Sequence, residues 1–179
     1  MDPVMSFFRR AMELKQLKRA GWVRCGVTPC ESVAEHTFGV SVLALVLSRA
    51  AGVDRGKCLA LAVVHDLAEA IVGDITPADG IAADEKLRRE REAIAELSRL
   101  LNDAEIANLW DEYEHGETPE SQLVRDLDAI EMALQATTYL NQKLLDVSQA
   151  RQFVNSARAR VQTPTGKQLL DNIVSAEEA

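Results

Sequence analysis

The chain has 179 residues, 47% of them hydrophobic, which suffices for one domain with a substantial core and is short for two. Twenty-eight acids against twenty bases give a net charge of -8 without any long basic run, which argues against a nucleic-acid polymer or an anionic membrane as partner. The longest apolar run, near Val40 to Leu47, falls well short of the roughly 20 residues that span a bilayer.

The opening "MDPVMSFFRR" has no basic start ahead of an apolar segment, so the chain reads as a soluble, cytoplasmic protein. Cysteine usage agrees. Cys25, Cys30 and Cys58 are odd in number, and the "CGVTPC" spacing is wider than the paired knuckle of a structural zinc site, so reduced thiols are expected.

Asp2 offers an N-cap and Pro3 a first helical position for a helix running through "PVMSFFRRAMELKQL", with Phe7, Met12 and Leu14 among its apolar residues. After the turn "KRAGWVRCGVTPCE", Ser32 and Glu35 form a capping box that opens a helix to about Ala50 and puts His36 in its first turn. Gly52 stops that helix and Asp54 caps the next, which is expected to run unbroken from about Arg55 to Val72, ending at Gly73. "DITPADGIA" is a loop, and "ADEKLRREREAIAELSRLL" reads as an amphipathic helix. "NDAE", residues 102 to 105, reads as a second capping box leading into "IANLWDEYE". "TPE", residues 118 to 120, starts a long helix with Leu123, Leu127, Ile130 and Leu134 on one face. Two further helices are expected near 148–161 and, after Thr163-Pro164, near 165–175. With no strand-period segment, repeat or low-complexity linker, the reading is all-α: a single domain with its core at about 14–140.

The apolar stretch "LALAVVHDLAEAIVGDITPAD", residues 59 to 79, is interrupted by titratable groups. At about 100° per residue, a continuous helix puts Glu69 one turn above His65, with Asp66 on the adjoining flank. Neutral imidazole and ionised carboxylate are ligands for divalent cations, and a cation would offset the burial of Asp66. A lone His-Asp pair most often faces solvent; here the setting of Val63, Val64, Leu67, Ala68, Ile71 and Val72 favours burial. Asp128, in "LVRDLDAIEMALQA", lies at the edge of the core-facing stripe, where periodicity alone equally allows an exposed acid beside Asp126.

His36, then His65-Asp66, then Asp128, in that order on three helices, resembles the metal site of the HD-domain phosphohydrolases. "ESVAEH", "HDLAEAIVGDITPAD", "EKLRREREA", "LWDEYE" and "LDAIEMALQA" narrow the resemblance to the 5'-deoxynucleotidase branch, of the YfbR and HD-domain-containing protein 2 type, over about Leu14 to Ala136. The resemblance implies a compact helical, commonly homodimeric enzyme that removes phosphate from deoxyribonucleoside 5'-monophosphates with one divalent metal ion (Mn, Co, Mg, Zn, Fe or Ni). It implies His36, His65, Asp66 and Asp128 as metal ligands and Glu69 and Asp74 as the acid–base pair. Spacing leaves open which of the two is acid and which base, and Asp74, following Gly73, also suits a turn.

For the substrate, the resemblance points to Arg19, Trp22, Glu114 and Arg125. In the bacterial type an Arg-Trp pair is adjacent, whereas "RAGW" separates them here and resembles the other type, so Trp22 carries over better than Arg19. Trp22 is either a wall against the deoxyribose that excludes a 2'-hydroxyl or a core aromatic. Arg125 either meets phosphate or lies on a solvated face; Glu114 is a candidate sugar contact, and His115 a surface loop residue. Two other functions fit the same core: a cyclic-nucleotide or alarmone phosphodiesterase, and a non-catalytic nucleotide-binding protein that keeps its metal for stability. The presence of both Glu69 and Asp74 favours an enzyme, since a structural metal requires neither.

Overall fold

The computed structural model describes residues 2–177. Among them the helices follow in the order α1 (Pro3–Met12), α2 (Ala20–Arg24), α3 (Val33–Ala51), α4 (Arg55–Val64), α5 (Glu69–Val72), α6 (Ala83–Leu101), α7 (Glu105–His115), α8 (Pro119–Asn141), α9 (Val147–Arg160) and α10 (Pro164–Glu177). The all-α expectation holds: within the described residues the only β pairing is an isolated antiparallel bridge between Lys18 and Ser32.

Local chemistry sets most boundaries. Asp2 accepts from the Val4 N–H at 2.9 Å, and Pro3 occupies the first helical position of α1. Ser32 and Glu35 form the reciprocal capping box of α3, whose end is turned by Gly52 at φ 72°. Asp54 caps α4 through the Lys57 N–H at 2.8 Å, and Thr118 caps α8.

Three boundaries differ from the sequence reading. The first helix gives way at Met12 to a 3₁₀ turn over Glu13–Lys15. The helix expected from Arg55 to Val72 is two helices, α4 and α5, separated by tighter i→i−3 bonds such as Leu67 N to Val64 O and Glu69 N to Asp66 O, both 3.0 Å. The cause is a side chain: His65 Nδ1 lies 2.8 Å from the Ala62 carbonyl, the group a continued helix would offer to the Asp66 N–H. Finally, Asn102 is not the N-cap of α7. It adopts φ 50° and closes α6, while Asp103 accepts the Glu105 N–H at 2.9 Å. Asparagine tolerates the left-handed conformation, so here it ends a helix instead of starting one.

α3 is the inner helix, packed on α4 and α8. Length and composition alone would let α3 cross a membrane, yet its inner face buries Val33, His36, Val40, Ala44 and Ser48 inside the bundle. Leu61, Leu123, Val124, Leu127 and Ile130 complete that core, each at or below 1% exposure. Each such side chain contributes about 1.5–3 kcal/mol by leaving water. A second cluster under α1, α6 and α7 contains Leu14, Val64, Leu67, Ile94, Leu97 and Trp110. A third joins Trp22, Val27, Cys30, Ala136, Tyr139 and Leu145.

The C-terminal helices are tied to α8 by Asp126, which is 2% exposed. It accepts from Gln162 N (2.9 Å), Thr163 N (2.7 Å) and Thr163 Oγ1 (2.5 Å), fixing the α9–α10 turn. Its neighbour two positions on is Asp128, so one stretch of α8 serves both that turn and the site.

Candidate active site

Helices α3 and α8 and the turn between α4 and α5 bring His36, Asp128 and the pair His65-Asp66 together. His36 Nε2 is 3.2 Å from Asp128 Oδ1, 3.6 Å from Asp66 Oδ2 and 3.4 Å from His65 Nε2. His65 Nε2 is in turn 3.2 Å from Asp66 Oδ2. Both imidazoles are buried, and donor atoms of His36, His65 and Asp66 lie within 4.8 Å of one another.

The far side of each ring fixes the chemistry of this cluster. A carbonyl only accepts, so His65 Nδ1 carries the proton it gives to Ala62 O, and its Nε2 in the neutral ring presents a lone pair. His36 Nδ1 is likewise 2.5 Å from Glu131 Oε2. With both rings neutral, two nitrogen lone pairs and two carboxylates converge, an arrangement that requires a proton or a cation among them. Asp66 Oδ2 is buried without a hydrogen-bond partner among the described residues, which fits a ligand awaiting a cation. On the protein alone a proton meets part of that need. Burial and the Arg19 charge act to lower the His36 pKa, but its hydrogen bonds to Asp128 and Glu131 prevail and hold it at about 10. The donor atoms of His36, His65, Asp66 and Asp128 therefore fit a divalent metal.

Glu69 and Asp74 lie at the edge of this cluster in different states. Glu69 is 5% exposed, and its Oε2 is buried without a hydrogen-bond partner among the described residues. Burial first, then repulsion from Asp66 and Asp74, pushes its pKa well above the usual carboxylate range. Asp74 Oδ2 instead accepts the Ala20 N–H at 2.7 Å. Arg24 reinforces the same junction through Asp79 (2.5 Å) and the Thr76 hydroxyl, so α2 and the loop after α5 hold each other. That docking delivers Arg19, whose Nη1 lies 3.5 Å from Asp66 Oδ2 and 3.9 Å from Asp74 Oδ2.

The structure reverses the order of preference between Arg19 and Trp22. Arg19 faces the cluster, whereas Trp22 is 2% exposed, packs on Phe153 (4.2 Å between centroids) and Tyr139 (5.3 Å), and donates its indole N–H to Glu31 Oε1 at 2.7 Å. Of the two readings of Trp22, this burial and packing suit the core aromatic. Arg125 is exposed, and its Nη1 donates to the carbonyls of Tyr113 (2.9 Å) and Glu114 (2.8 Å) at the end of α7. Half-buried Glu114 has a pKa raised by burial, against the charges of Arg125 and Lys86, and it feels Asp66 and His65. His115 is exposed at the last position of α7, not in the loop, with Nδ1 2.6 Å from Asp111 O.

Sequence reasoning missed Glu131 and Arg160. Glu131 lies three residues beyond Asp128 on α8, a spacing that could have shown it. Arg160 reaches Asp128 from α9, where no local signal marked it. Asp128 Oδ2 takes Arg160 Nη2 at 2.5 Å and the Tyr113 hydroxyl at 3.3 Å. Its carboxylate is held well below the usual range: burial opposes ionisation, and the His36 hydrogen bond and the Arg160 charge outweigh it.

A helical bundle with a buried His, His-Asp and Asp cluster is what the HD-domain class presents, and the HD domain family model matches residues 11–168. The chain belongs to that family. Among individual relatives, the 5'-deoxynucleotidase HDDC2 of Danio rerio is 44% identical over 142 residues, 78% of this chain and 70% of that protein. The 5'-deoxynucleotidase HDDC2 of Xenopus laevis is 38% identical over 173 residues, 95% and 85% of the two chains. Of solved structures, the PH0347 protein from Pyrococcus horikoshii OT3 superposes with a TM-score of 0.81 at 30% identity, covering 94% of this chain and 97% of that one.

Proposed function

We propose that the protein is a divalent-metal-dependent 5'-deoxynucleotidase that hydrolyses deoxyribonucleoside 5'-monophosphates to deoxyribonucleoside and phosphate. The observation that carries this reading is Glu69: a buried carboxyl with an unpaired oxygen and a raised pKa, beside a cluster built for a cation. A structural metal site has no use for such a group. The relatives named above support the substrate class.

A divalent cation held by His36, His65, Asp66 and Asp128 would supply charge neutralisation at the phosphoryl group and acidity to a water. Glu131 and the Ala62 carbonyl hold the two imidazoles so that both Nε2 atoms face inward. Glu69 and Asp74 are the pair that carries the proton transfers, one taking the proton of the attacking water as the new P–O bond forms and the other giving a proton to the departing 5'-oxygen as the old one breaks. Asp74 is anchored through Oδ2 on α2, and Arg19 between Asp66 and Asp74 offsets their charge as the phosphate dianion arrives. The native metal is drawn from Mn, Co, Mg, Zn, Fe or Ni, and two imidazole nitrogens favour the transition metals among these over Mg, which prefers oxygen ligands.

The homodimer belongs to the same proposal. Phe38, Val42, Leu45 and Val46 form an i, i+4, i+7, i+8 stripe on the outer face of α3, with Phe38 71% exposed. A second copy is the occupant we assign to it. Three free cysteines and the net charge of -8 support a cytoplasmic protein acting on small molecules and not on a nucleic-acid polymer.

The test is phosphate release from matched deoxyribo- and ribonucleoside 5'-monophosphates and cyclic nucleotides, each metal being added back after chelation. Cleavage of the deoxyribonucleoside monophosphates is expected, abolished along with metal binding in His36→Ala and Asp128→Ala. Turnover confined to cyclic nucleotides, or none with any metal, rejects the reading.

A further inference from the structure

The charge around the cluster is mostly acidic. Asp66, Glu69, Asp74 and Asp128 are joined at its edge by Glu90 and Glu114, whose pKa values burial also raises. A phosphate dianion approaching this group meets repulsion that fixed cations have to offset. Of the neighbouring cations, Arg19 lies mostly buried between Asp66 and Asp74, Lys86 is 3.4 Å from Glu90, and Arg125 rests on the α7 carbonyls.

Arg160 is placed differently. Its Nη2 meets Asp128 Oδ2 at 2.5 Å, yet its side chain is 48% exposed against 11% for Asp128. The guanidinium thus spans from a metal-holding carboxylate to the surface. A guanidinium presents several N–H donors in a planar fork, and the contact with Asp128 uses one. The position is also braced. Val161 is 5% exposed, and Gln162 and Thr163 are held by Asp126 from the same turn of α8 that carries Asp128. Arg160 therefore enters from a fixed stem, the condition for an anion contact formed without further ordering.

We propose that Arg160 contacts the phosphate of the substrate, donating from its open N–H groups to a terminal phosphate monoester while it holds Asp128. This rests on the reading of the cluster as a metal-dependent phosphomonoesterase site. It assigns to α9 the phosphate contact that the sequence had suggested for Arg125.

The test is titration calorimetry of inorganic phosphate into Mn²⁺-loaded wild type, Arg160→Ala and Arg160→Lys, with manganese content measured on the same samples. Both variants are expected to keep their manganese. Phosphate affinity should fall by about tenfold or more in Arg160→Ala, the scale of a lost charge-assisted hydrogen bond, and by less in Arg160→Lys, which keeps the charge and loses the fork. Unchanged phosphate affinity at full manganese overturns the proposal. Loss of manganese from both variants also overturns it, because Arg160 then acts on Asp128 alone. Phosphate binding needs no turnover, so a wild type that binds phosphate in an Arg160-dependent way but cleaves no deoxynucleotide rejects the proposed activity and not this contact.

Discussion

His36 Nδ1 lies 2.5 Å from Glu131 Oε2, with the imidazole fully buried and the carboxylate 10% exposed. That contact commits one ring nitrogen and turns the other toward Asp66 and Asp128. Glu131→Ala should lower Mn²⁺ affinity about 10–100-fold by calorimetry, since the ring loses the partner that sets its tautomer and orientation. Gly39→Ala attacks the same contact from α3, because an added methyl would stand 2.6 Å from Glu131 Oε1. Wild-type affinity in both variants would mean that packing alone orients His36.

Glu69→Gln separates proton transfer from metal holding. The variant keeps the shape of the side chain and every proposed ligand, so metal content should be unchanged while kcat falls by roughly 100-fold or more. Its thermal stability should not fall, because a buried carboxyl pushed far above its usual range is replaced by a group that never ionises. Near-normal kcat removes Glu69 from the mechanism; loss of metal makes it a ligand.

Trp22 should behave as a core residue. Trp22→Ala should cost about 3–5 kcal/mol of stability in denaturant unfolding, the range for emptying a buried indole site. Trp22→Phe keeps much of the packing on Phe153 and Tyr139, and its ratio of kcat/KM for deoxy over ribo substrates should match wild type. A folded Trp22→Phe that loses discrimination puts the indole back on the sugar.

Glu31 gives a pH-dependent stability with a definite sign. Burial first, and the Glu131 charge second, push its carboxyl from its ordinary 4.5 up to about 7, against the Trp22 hydrogen bond that lowers it. A folded pKa above the unfolded value means the contribution of Glu31 is complete below 4.5 and is lost as pH rises through about 7. Glu31→Gln still accepts from the indole N–H without ionising, so its Tm relative to wild type should climb between about pH 5 and pH 8. A Tm difference that stays flat across that window rejects the assignment.

The sequence alone determined the longer helices and most of their ends, though it read α2 as part of a turn and α4 and α5 as one helix. The capping residues Ser32, Glu35, Asp54 and Thr118 act on N–H groups within a few positions of themselves, so local order suffices to reveal them. The order His36, His65-Asp66, Asp128 was legible for a similar reason: it is a pattern along the chain, and the fold brings its members together. Tertiary structure decided what depends on the partner of each side chain. The helix through His65 breaks because an imidazole takes a backbone carbonyl, a competition that apolar periodicity does not register. Arg19 and Trp22 differ by three positions, and only the docking of α2 on the loop after α5 sends one to the cluster and the other to the core. Periodicity left Asp128 free to be an exposed acid beside Asp126, yet Asp126 fixes the α9–α10 turn and Asp128 meets His36 and Arg160, because α9 returns to α8 from elsewhere in the chain.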